Sequence, residues 1–166
     1  GSENFLPYVE SLIVRSGVAP DLLTFEITES VAVARMKPAQ ALMHTLKKLG
    51  CHLSLDDFGT GLSSFAYLKL FPVDTLKIDG SFIRDVTTNV VSQSVVAAIA
   101  EVARVMQLET VAEYVQDEAA LELLRSLNIS FAQGYVVGAA EPLEQQIATI
   151  ARPARGRKRR ALPSAG

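Results

Sequence analysis

His52-Leu53-Ser54-Leu55-Asp56-Asp57-Phe58-Gly59-Thr60-Gly61-Leu62-Ser63-Ser64 reads as a buried strand whose end turns over two glycines into a helix. Apolar residues lead in, two adjacent carboxylates close the strand, and Ser63 or Ser64 suits the N-cap of the next helix. Side chains of neighbours on a regular strand point to opposite faces. Asp56 and Asp57 can therefore reach one cavity only where the strand ends or bulges, which Phe58-Gly59 would allow. Adjacent carboxylates raise each other's proton affinity, and a divalent cation between them keeps both ionised.

The same grammar extends outward in both directions. Short strand-like runs are expected at 22–28, 52–57, 75–79, 110–114 and 130–134. Amphipathic helical runs are expected at 4–16, 31–49, 63–71, 91–106, 117–127 and 142–151. Alternation of this kind predicts successive βα units around a parallel sheet. Pro38 is placed to open a helix and Gly50 to stop one. The spacing of Val95, Val96, Ile99, Val102, Ala103 and Met106 gives the 91–106 run one apolar face.

Ionisable residues gather at or just beyond the carboxyl end of the expected strands: Glu26 and Glu29, Asp56 and Asp57, Lys77 and Asp79, Glu113. Loops vary at that end while strands hold them rigid, so it is where parallel α/β sheets bind ligands. Lys77 lies between Leu76 and Ile78, where a buried ammonium needs a counter-charge. Carboxylates without nearby His or thiolate suit hard cations, which points to Mg²⁺ or Mn²⁺. Glu26, Asp56, Asp57, Glu113 and Lys77 are the residue types that two-metal phosphoryl transfer uses: ligands, a group to orient water, and a positive charge. His44, in a helical run, and His52, at a strand start, are expected to be structural or surface residues.

Composition narrows the rest. Of 166 residues, 49% are hydrophobic, which supplies a core, and no stretch is long enough to cross a bilayer. Gly1-Ser2 reads as an expression-tag scar, residues 3–151 as the folded unit, and 152–166 as a basic disordered tail. That tail holds six basic residues and no acidic one. Removing the six from the 16 in the chain leaves 10 against 18 acidic, so the body carries about −8 and is not a platform for DNA or RNA. The lone Cys51 excludes a disulfide framework and suits a reducing cytoplasm, although a parent protein could be membrane-attached through other regions.

Five motifs in register resemble the EAL domains, barrel enzymes that linearise cyclic di-GMP to pGpG. They are Glu26-Ile27-Thr28-Glu29, Asp56 to Ser64, Lys77-Ile78-Asp79, Ala112-Glu113-Tyr114-Val115-Gln116, and Gln133-Gly134-Tyr135. The resemblance runs from about Leu22 to Pro142. It implies a (β/α)8-type, TIM-like barrel, incomplete here because the first strands precede Ser2. It implies metal ligation by Glu26, Asp56 and Asp57, and a water held or activated by Lys77 and Glu113. Glu29 would brace the loop containing Gly59 and Thr60, and Asp79 and Gln133 would line the substrate site.

Two departures stand out. The family's name-giving Glu and a following Asn ligand have no counterpart in this chain, and its GVE becomes Tyr114-Val115-Gln116. The expected activity is metal-dependent hydrolysis of cyclic di-GMP, slow in this chain. The alternative is a degenerate domain acting as a cyclic di-GMP receptor or an interaction module. An opened barrel is expected to pair as a homodimer or to take strands from a complementing partner. Phe25, Ile27, Leu53, Leu55, Leu76, Ile78 and Val111 are expected to divide between lumen and helix layer, leaving some exposed.

Overall fold

A computed structural model describes residues 5–60, 65–142, 144, 146 and 147. Five strands form one parallel sheet: β1 (Thr24–Thr28), β2 (His52–Phe58), β3 (Thr75–Ile78), β4 (Glu109–Ala112) and β5 (Phe131–Ala132). Their spatial order is their sequence order, and every neighbouring pair is parallel. A sheet that keeps adding strands in one direction curls as an arc of a barrel; a doubly wound sheet would reverse its order part-way.

The helices are α1 (Phe5–Ser16), α2 (Glu29–Ala34), α3 (Met36–Lys48), α4 (Gly80–Ile83), α5 (Val90–Met106) and α6 (Glu118–Ser126), with single 3-10 turns at Pro20–Leu22 and Phe65–Leu70. Local chemistry sets their ends. Asn89 accepts from Val91 N and Ser92 N at 2.9 and 3.4 Å, which starts α5, and Asp117 accepts from Ala120 N at 2.8 Å, which starts α6. Gly50, at φ +93, ends the α3 unit and lets Cys51 N reach back to Leu46 O. On α5, Val96, Ile99 and Ala103 are buried, while Val95, Val102 and Met106 pack on the core as partly buried neighbours.

Three expectations need correction. The run 31–49 is not one helix: it starts at Glu29 and breaks at Arg35, whose φ −129, ψ 51 is not helical. Pro38 is the physical reason, because in a continuous helix its ring would collide with the carbonyl of Ala34; the chain instead restarts so that Pro38 falls in the first turn of α3. The run 63–71 is a 3-10 turn over Phe65–Leu70 rather than an α-helix, with 61–64 outside the described residues. Helix α4 was not foreseen; Asp79 Oδ1 caps it by accepting from Ser81 N at 2.8 Å. The helix expected at 142–151 lies largely outside the described residues, as does the tail 152–166.

The two faces of the sheet also differ from expectation. Phe25, Ile27, Leu53, Leu55, Leu76 and Ile78 do not divide between layers. The register pairs Phe25 with Leu53 and Leu55 with Leu76, so period-2 alternation puts all six on the helix-covered face. Leu53, Leu55, Leu76 and Ile78 are fully buried. The opposite face carries Glu26, Ser54, Thr75 and Lys77, with Val111 the apolar residue expected there. The inner face of these strands is therefore largely polar, and exposing it costs less than exposing a hydrocarbon lumen would.

Candidate functional site

β2 is where the site is made. Leu55 pairs with Leu76 and Phe58 with Ile78, so β2 uses one residue more than β3 between these points. That bulge falls on Asp56-Asp57, one step before the position suggested by Phe58-Gly59. Asp57 takes φ +55, a left-handed conformation that Asp tolerates better than most side chains. The bulge cancels the alternation that would send the two carboxylates to opposite faces.

One carboxylate oxygen from each of Asp56, Asp57 and Glu113 lies within 4.8 Å of the other two. Oxygens on opposite sides of an octahedral Mg²⁺ stand about 4 Å apart, so a small contraction would seat a hard divalent cation among them. Asp56 Oδ1 is buried and makes no hydrogen bond, although it sits 3.0 Å from Lys77 Nζ; the contact has ion-pair distance without hydrogen-bond alignment. An anionic oxygen in that state suits a cation. Burial first, then the charges of Asp56 and Asp79, raises the proton affinity of Asp57, with Lys77 opposing.

Lys77 joins the cluster to β1. Its Nζ lies 2.8 Å from Glu113 Oε1, 3.0 Å from Asp56 Oδ1 and 3.0 Å from Glu26 Oε2. The side chain is only 9% exposed. Burial works against its charge, but the close carboxylates of Glu113, Asp56 and Glu26 outweigh it and push the ammonium's pKa above the usual lysine value. Lys77 is a fixed cation facing three acids, one from each of three neighbouring strands or their ends.

Glu29 occupies the first position of α2 and is buried. Its Oε2 accepts from Gly59 N at 2.9 Å, and its Oε1 accepts from the hydroxyl of Tyr67. It thus ties the turn after the bulge to the 3-10 segment, as a brace would. Gly59 is at φ +102, and Thr60 Oγ1 donates to Asp57 O at 3.0 Å. Gln133 stands apart from the carboxylates' centre. With Glu113, Tyr114, Gln116, Gly134 and Tyr135 it lines an adjoining cavity of about 270 Å³. Asp79 adds negative potential at Asp57 while its own oxygen caps α4. His52 lies at the opposite end of β2, 3.6 Å from Asp74, remote from this chemistry.

Reasoning from sequence missed Tyr67, whose partner is distant in the chain, and the environment of Tyr114. The family model for the EAL domain matches residues 1–140. The chain belongs to the EAL domain family. This EAL domain is 43% identical over 135 residues to the cyclic di-GMP phosphodiesterase PdeF of Escherichia coli K12, covering 81% of the chain and 18% of that protein. It is 36% identical to the cyclic di-GMP phosphodiesterase PdeB of Shewanella oneidensis, covering 86% of the chain and 17% of that protein.

Among solved structures it resembles the PaMucR phosphodiesterase in complex with c-di-GMP, with a TM-score of 0.84 and 34% identity over 88% of this chain and 59% of that one. It also resembles the EAL domain of Mycobacterium smegmatis DcpA, with a TM-score of 0.83 and 31% identity over 91% of this chain and 68% of that one. The five parallel strands are thus part of a TIM-like barrel. The chain spans under a fifth of the length of the two curated relatives named here. No helix among the described residues is long and apolar enough to cross a membrane.

Proposed function

We propose that this chain carries the carboxylate mouth of a phosphodiesterase that opens cyclic di-GMP to pGpG with Mg²⁺ or Mn²⁺. The observation that carries the reading is the convergence of Asp56, Asp57 and Glu113 within 4.8 Å, with Lys77 at 2.8–3.0 Å from Glu113, Asp56 and Glu26. Asp56 and Asp57 would hold the metal, joined by Glu26, which lies outside their 4.8 Å group and meets it through the Lys77 ammonium at 3.0 Å. A bound divalent cation lowers the pKa of its water and offsets charge on the phosphoryl group.

The chain's own groups supply the rest. Glu113 would accept the proton of an attacking water. The Lys77 ammonium, 2.8 Å from Glu113 and 3.0 Å from Asp56, adds positive charge where the pentavalent state gains negative charge. Glu29, through Gly59, fixes the turn after Asp57, so the bulge keeps its shape. The cavity lined by Gln133 and Tyr135 lies beside Glu113 and is the space for the rest of the nucleotide. That two homologous phosphodiesterases carry cyclic di-GMP in their names, and that the PaMucR structure is a c-di-GMP complex, supports this substrate.

The test is hydrolysis of cyclic di-GMP, with chromatography of pGpG, for the 166-residue chain and for the natural polypeptide at its full length. The full-length protein is expected to turn over with Mg²⁺ and to lose turnover on Lys77→Ala or Glu26→Ala; the 166-residue chain is expected to be far slower. Tight binding of cyclic di-GMP by the full-length protein without any pGpG would replace the enzyme reading with that of a receptor.

A further inference from the structure

Tyr114 stands where a glycine would be the easier residue. Its φ is +56, in the left-handed region, yet it carries a full aromatic ring and leaves 54% of its surface exposed. The ring is held on one side by α4. The Arg84 guanidinium carbon lies 4.9 Å above the ring centroid. Gly80, one helical turn before Arg84, touches the ring so closely that any Cβ there would overlap its Cγ and Cδ2. Both contacts come from α4 and its C-cap residue, and the ring also lines the cavity shared with Glu113, Gln116 and Gln133. An exposed aromatic in a strained backbone, set against Gly80 and carrying a cation on one face, is a flat wall beside the candidate catalytic carboxylate.

We propose that Tyr114 is a positioning residue: a platform on which one purine base of the nucleotide stacks, set in place by Gly80 and Arg84. This rests on the cyclic dinucleotide reading and adds a contact to it. A base on that wall would place its attached phosphodiester beside Glu113, and the Arg84 charge behind the ring strengthens its hold on a π-system. A purely structural tyrosine would pack on α4 and would not distinguish ligands with a base from ligands without one.

The experiment titrates the 166-residue chain with guanosine monophosphate and, separately, with ribose 5-phosphate, by saturation-transfer NMR. Stacking on one aromatic side chain predicts guanosine monophosphate to bind about tenfold more tightly. Tyr114→Phe should keep that preference and Tyr114→Gly should remove it while the chain stays folded with a cooperative melt, because the strain relieved at φ +56 offsets part of the lost contacts with Gly80 and Arg84. Gly80→Ala leaves the ring in the sequence but displaces it, and should remove the preference too. The double variant should lose nothing further.

The proposal is overturned if the unaltered chain shows no preference for the base-bearing ligand, or if Tyr114→Gly keeps it. The hydrolysis assay separates this from the functional reading. Cyclic di-GMP cleavage by the full-length protein, with a preference indifferent to Tyr114, sinks the platform alone. A Tyr114-dependent preference without binding or cleavage of cyclic di-GMP sinks the dinucleotide reading and leaves the platform standing.

Discussion

Replacing Lys77 by methionine keeps most of the side-chain volume and removes the ammonium that Glu113, Asp56 and Glu26 approach at 2.8, 3.0 and 3.0 Å. Of these partners, Glu113 is 11% and Asp56 22% exposed, whereas Glu26 is 50% exposed and contributes little through water. Two largely desolvated carboxylates would be left facing Asp57 without a counter-charge. Removing one partner of a buried pair costs about 3–5 kcal/mol; solvent at the mouth puts the expected loss at the lower end, about 3 kcal/mol. For a chain of this size that is a fall in Tm of roughly 6–12 °C.

The assay is urea unfolding in chelator and again in millimolar Mg²⁺. The variant should recover part of its loss with Mg²⁺, since the cation replaces the missing charge, whereas the unaltered chain should gain less. The pH dependence follows from the direction of the lysine shift. A raised folded pKa means that the ammonium's contribution is complete below the unfolded lysine value and is lost only as pH rises through the folded one. The difference between variant and parent should therefore stay flat from about pH 7 to 9. A loss below about 0.5 kcal/mol, the scale of a solvated surface pair, would refute the view of Lys77 as the cluster's internal counter-ion.

Glu29→Ala should leave Gly59 N without its acceptor, cost about 2 kcal/mol, and speed hydrogen exchange at Gly59 well beyond the global change; unchanged exchange there would show that the brace does not hold the turn. Gly134→Ala should destabilise by about 2–3 kcal/mol in a thermal melt, because φ +151 disfavours a side chain and the new Cβ would meet the backbone of Val115; an unshifted melt would contradict that packing. Cys51 is fully buried, and burial raises its thiol's pKa against the pull of Lys47. It should react with an aromatic disulfide reagent at pH 8 only as fast as the protein opens, and rapid stoichiometric labelling of the native chain would show that this strand start is open to solvent.

The βα alternation, the helix stop at Gly50 and the placement of acids at strand ends were legible in the sequence because they depend on neighbours in the chain: strand period and turn residues. The same local grammar located Asp56-Asp57 and suggested that two adjacent strand residues could share a cavity only through an irregularity. It could not say that Lys77 would stand between Glu26, Asp56 and Glu113, or that Glu29 would reach Gly59 thirty residues away. Those meetings follow from the register of three separate strand pairings, and a one-residue slip in any of them turns a side chain to the other face. The polar character of the inner face was likewise settled by register. Composition counted the apolar strand residues, but only β1, β2 and β3 in alignment put Phe25, Ile27, Leu53, Leu55, Leu76 and Ile78 on the helix side together. The seat of Tyr114 on Gly80 was invisible for the same reason, since a missing Cβ matters only when another segment arrives to use the space.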